Sequence, residues 1–119
     1  MAKIEKKNFG KPDEVRKFPY GQNELLNLEG KTISRSVFQP GWRWSTSVKP
    51  VAKTESCQVR HVTYQISGVL RVRLDDGTEY ESHPGDVTII PPGHDGWVVG
   101  NEPAVFIDFE GMADYTKTH

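Results

Sequence analysis

The chain has 119 residues, 35% of them hydrophobic and 26% charged, with a net charge of −1, which fits one globular domain able to close its own core. A single cysteine, Cys57, excludes an internal disulfide, and basic residues interspersed with acidic ones exclude an electrostatic footprint for nucleic acid. No apolar run approaches the roughly 20 residues of a membrane helix, and the start MAKIEKKNFGK lacks the roughly seven-residue apolar stretch of a secretory signal, so a cytoplasmic protein without membrane contact is expected.

Residues 1–30 read as an N-terminal arm. Lys3, Lys6, Lys7, Lys11, Arg16 and Lys17 make it locally basic, and Pro12-Asp13-Glu14 can open a helical turn that Pro19 and Gly21 stop within about two turns. A short helix, or at most a strand, is expected there. Past the Glu29-Gly30 turn, Thr32 to Phe38 alternates and predicts the first strand of a β-domain spanning 31–110. Pro40-Gly41 then turns the chain into Trp42-Arg43-Trp44-Ser45, where an extended backbone puts both tryptophans on one side. Such a pair points to core, with ligand stacking as the alternative. Residues 49–56 have no periodicity and predict a loop.

From Gln58 to Ile66 a strand is expected whose two faces are both partly polar. One carries Cys57, Val59, His61, Thr63 and Gln65, the other Gln58, Arg60, Val62, Tyr64 and Ile66. A polar residue on each face suits a barrel whose interior holds a site. Asp76-Gly77, between alternating segments, predicts a hairpin over 69–80. His83-Pro84-Gly85-Asp86 is a second turn, and Pro91-Pro92-Gly93 ends the apolar run Val87 to Ile90 by removing two backbone donors. The last strands are Trp97 to Val99 and Ala104 to Phe109, separated by Gly100-Asn101-Glu102-Pro103. Asp108 is out of phase with Val105, Ile107 and Phe109, and is expected to face solvent because an inward carboxylate needs a partner to offset desolvation. Residues 111–119 read as a tail.

The spacing Gly85, five residues, Pro91, one residue, Gly93, followed by His94-Asp95-Gly96-Trp97, resembles the start of the second cupin motif. Counting back from Gly68 in the first motif puts His61 at its glutamate position, Cys57 at its second histidine and Glu55 at its first. The run from Pro40 to Gln58, followed by Pro91 to Pro103, is similar to small single-domain cupins. The resemblance covers about residues 30–110. It implies an all-β fold, an antiparallel double-stranded β-helix or jelly-roll barrel, with a small-molecule ligand near a divalent transition metal, oxygenase or isomerase chemistry, and homodimers paired through edge strands.

Within that frame His61, His94 and Cys57 are the candidate metal ligands, and Gln58, Tyr64, Trp44, Trp97 and Asp95 the candidate pocket. Zinc, iron, nickel, copper and manganese all accept imidazole, while a thiolate shifts preference toward Zn, Cu or Fe(II). On a regular strand Cys57 and His61 would lie about 13 Å apart, too far for one metal, so the set requires a bulge or bend between them. The competing reading is a buried cysteine and two histidines satisfied by backbone groups, in a metal-free binding or sensing module. His83, in a turn, and His119, at the end, are set aside.

Overall fold

A computed structural model describes residues 3–52, 54 and 56–110. Glu55 and the 111–119 tail with His119 lie outside the described residues. Nine strands form two antiparallel sheets. The larger has the order β1-β2-β3-β9-β4-β7 and the smaller β6-β5-β8, with β1 Glu14–Phe18, β2 Gly21–Leu28, β3 Lys31–Phe38, β4 His61–Ser67, β5 Val69–Leu74, β6 Glu79–Ser82, β7 Val87–Ile90, β8 His94–Val99 and β9 Ala104–Asp108. Two one-turn helices, α1 Trp44–Ser47 and α2 Lys49–Ala52, lie between β3 and β4. The sheets share no ladder, so they enclose the core as two layers rather than as one hydrogen-bonded barrel.

The turns follow from their residues. Glu29 and Gly30 both take positive φ, 47° and 75°, the two-residue turn whose twist matches that of the flanking strands. At His83-Pro84-Gly85-Asp86, proline fixes the first corner and Gly85 supplies φ 94° at the second. The Asp86 amide donates to the His83 carbonyl at 2.9 Å, and the Asp86 carboxylate accepts from the His83 amide at 2.8 Å. At Asp76-Gly77 the Asp76 carboxylate accepts from the Thr78 amide at 2.9 Å.

Three expectations are corrected. The segment read as an arm ending at 30 contributes β1 and β2, paired along their whole length and continued by β3. Pro19-Tyr20, read as a helix stop, is the hairpin turn between them, and Leu25 at 1% exposure anchors β2 in the core. The 49–56 loop begins with α2, where Pro50 occupies an early helical position that needs no amide donor. In β9 the faces are reversed: Ala104, Phe106 and Asp108 are buried at 0%, 5% and 0%, while Phe109 is half exposed.

Between the sheets lie Leu25, Phe38, Phe106 and Ile90 from the larger, Leu70 and Val72 from the smaller, and Trp42, Trp44, Val48 and Cys57 from the connecting segments. The Phe38 and Trp42 rings stack at 3.8 Å. The chain crosses from the larger sheet to the smaller at Gly68, where φ is 69° and a Cβ would stand 2.1 Å from the Pro103 carbonyl oxygen. Only glycine fits that corner.

Candidate metal centre

His61 opens β4 with its side chain inward and 6% exposed. Its Nδ1 lies 2.5 Å from the Asp108 carboxylate on neighbouring β9, brought there by the register Thr63↔Asp108. A carboxylate can only accept, so Nδ1 carries a hydrogen and Nε2 faces the other way, 3.7 Å from the Cys57 sulfur. His94 opens β8 at 5% exposure. Its Nδ1 donates to the Pro91 carbonyl at 2.7 Å, which leaves Nε2 as its free position.

The bend that the sequence required exists. Residues 58–60 are outside any strand, and Cys57 pairs instead with His94 across an isolated bridge, its amide donating to the His94 carbonyl at 2.7 Å. This reach across to the smaller sheet turns a four-residue separation into contact. Ligand atoms of Cys57, His61 and His94 all lie within 4.8 Å of one another, and all three residues are buried.

The donor set suits a metal. A tetrahedral zinc with bonds of about 2.3 Å to sulfur and 2.05 Å to nitrogen puts those donors ~3.6 Å apart, and the Cys57 to His61 distance is 3.7 Å. The widest pair, at up to 4.8 Å, must close by about 1 Å, which is within the reach of a side-chain rotation. Each imidazole is oriented through its other nitrogen by an acceptor, as metal-bound histidines are.

The electrostatics agree. Burial pushes the Cys57 thiol up, but the imidazoles of His61 and His94 outweigh it and bring it down to about 6. Burial also disfavours a charged His61, yet the Asp108 carboxylate and the Cys57 sulfur hold that ring up at about 9. Without metal the pair is a thiolate facing an imidazolium.

A cavity of about 30 Å³ adjoins the cluster, lined by His61, His94, Thr63, Asp108, Trp42, Trp44 and apolar side chains from both sheets. A water needs about 10–15 Å³ on this measure, so the space takes one or two water-sized occupants. The indole N–H groups of Trp42 and Trp44 are buried without an acceptor.

Of the pocket candidates, Trp44 alone lines this cavity. Tyr64 is 43% exposed on the outer face of β4, and Gln58 is exposed, donating to the Ser56 carbonyl and hydroxyl. Asp95 and Trp97 belong to a clamp outside the cavity. The Asp95 carboxylate accepts from the Ser45 amide at 3.1 Å and from Arg43 at 3.3 Å, and the Arg43 guanidinium lies 4.4 Å over the Trp97 ring. The clamp fixes the segment that carries Trp42 and Trp44 onto β8. Asp108 is the site residue missed in the sequence. The signal was present, because Ala104 and Phe106 share its phase and mark the inward face as readily as Val105, Ile107 and Phe109 mark the other.

No family model matches the sequence, and no curated protein does either. Among solved structures the chain is similar to a protein of unknown function from Rhizobium leguminosarum bv. viciae, with a TM-score of 0.63 and 21% identity, covering 92% of this chain and 99% of that one. It is similar to the polyketide cyclase RemF from Streptomyces resistomycificus at TM-score 0.62 and 16% identity, covering 89% and 78% of the two chains. A cupin-like protein from Thermotoga maritima aligns at TM-score 0.54 and 18% identity, over 76% and 67%. The architecture is the cupin fold, which some of these relatives use for enzymes. Within it, this chain builds a buried cysteine and two-histidine cluster.

Proposed function

We propose that this protein is a metal-binding cupin that holds one divalent transition metal on Cys57, His61 and His94 and admits a small ligand to the position beside it. The convergence of three buried donors from two sheets carries this reading. Two imidazoles with a thiolate favour zinc, copper or iron(II) over the harder manganese. When bound, the metal supplies Lewis acidity, and iron or copper adds dioxygen chemistry, the basis for oxygenase or isomerase activity. Asp108 and the Pro91 carbonyl hold the imidazoles with their Nε2 atoms inward, and the surrounding aromatic side chains exclude bulk water. With room for one or two water-sized groups, the ligand is a water, a diatomic gas or an anion of a few atoms, and unpartnered indole donors line its space. That size speaks against a metal-free module for a larger metabolite. A reduced cysteine as ligand fits a reducing compartment such as the cytoplasm.

The test is metal analysis of protein purified without an affinity tag. Close to one metal per chain is expected in the wild type and in His83→Ala, whose target is on the surface with a side chain 55% exposed. Loss is expected in His61→Ala and in His94→Gln, each checked for its β circular dichroism. Equal occupancy in all four proteins would remove the centre.

A further inference from the structure

The outer face of the larger sheet is apolar where an exposed face should be polar. On β4, Tyr64 and Ile66 are 43% and 44% exposed, on β7 Val87 and Ile89 are 71% and 60%, and Phe109, just past β9, is 51%. These residues form one surface, because Tyr64 pairs with Val87 on one side and Ile107 on the other, and Val62 pairs with Ile89. The outward positions of these three strands carry no charged side chain. β7 is also a sheet edge without proline, lysine or a bulge to protect it.

Five half-exposed side chains of roughly 100–200 Å² each present on the order of 400–500 Å². That is in the range of the largest patches on monomers, about 300–600 Å², which often mark function. Paired with itself across a two-fold axis, the face buries about 1,000 Å² before any rim is counted, the threshold for a specific interface. A second copy is the occupant that suits it. The face has no charge to recruit an acidic or basic partner, and at its rim the exposed Arg60 to Glu110 ion pair, at 2.5 Å, offers both signs to a rotated copy of itself. We propose that the outer face of β9, β4 and β7 is the interface of a homodimer, packed face to face rather than edge to edge.

The test is sedimentation equilibrium of the full chain at micromolar concentration. The wild type is expected at twice the chain mass. Val87→Glu, on the edge strand, and Tyr64→Glu, one strand inward, are each expected to weaken the dimer at least 100-fold with β circular dichroism unchanged. Ile66→Lys replaces Tyr64→Glu if that variant misfolds. A dimer broken by Val87→Glu but not by the inner variants would establish edge pairing and overturn the proposal. A wild-type monomer would overturn it too, leaving the face to another protein or to residues 111–119.

Discussion

Asp108 decides how His61 is used. Its carboxylate fixes the ring and keeps Nδ1 protonated, so Asp108→Asn, which preserves shape but removes the charge, is expected to lower metal affinity about 10–100-fold in a chelator competition. The metal-free pair makes a second prediction. Between about pH 6.5 and 9 the folded protein holds a thiolate and an imidazolium, and the unfolded chain a thiol and a neutral imidazole. Folding then moves a proton from Cys57 to His61 and takes up none, so the pair's contribution to stability is level across this window. Cys57→Ser removes the compensating half. His61, still raised by Asp108, then contributes stability that is complete below about pH 6.5 and is lost as pH rises toward its folded value. Urea denaturation of the metal-free variant should show a loss of up to ~1.4 kcal/mol per pH unit above 6.5, and the wild type should not show it. Cys57, His61 and His94 could be named from the sequence because their residue types and motif spacing carry the chemistry. Asp108 could not, because its partner is 47 residues away and only the register of β4 with β9 reveals it.

At the scale of elements, the structure depends on where the chain changes sheet. Gly68→Ala places a methyl group against the Pro103 carbonyl and forces an unfavourable φ, and is expected to cost at least ~2 kcal/mol by urea denaturation. Gly77→Ala, at φ 92° but with nothing within 4 Å, carries only the backbone cost of about 1 kcal/mol. Hairpins signalled by Asp-Gly, Glu-Gly and Pro-Gly were legible because such turns are encoded locally. β1 was not, since Pro19 and Gly21 end a helix and close a hairpin equally well, and pairing with β2 decides between them. β9 was misread for a different reason. Its outward residues Val105, Ile107 and Phe109 are as apolar as a core, and alternation shows two faces without saying which one is buried.

At the scale of the molecule, the core joins both sheets without help from the metal, so the metal-free protein is expected to keep its β circular dichroism. A collapse of that signal on chelation would show the ion to be structural. Added metal at about 100 times its dissociation constant should stabilise the fold by ~2.7 kcal/mol, raising Tm by about 10 °C in a scan. Cys57 and His94 are tied by backbone hydrogen bonds on one layer, and His61 and Asp108 by register on the other. An ion held by all three donors is thus a rivet through the seam between the layers, and it leaves only when they part. Its release rate should therefore match the rate at which the deepest amides beside His61 and His94 exchange with solvent, so that a loaded metal becomes a clock for the opening of the sandwich.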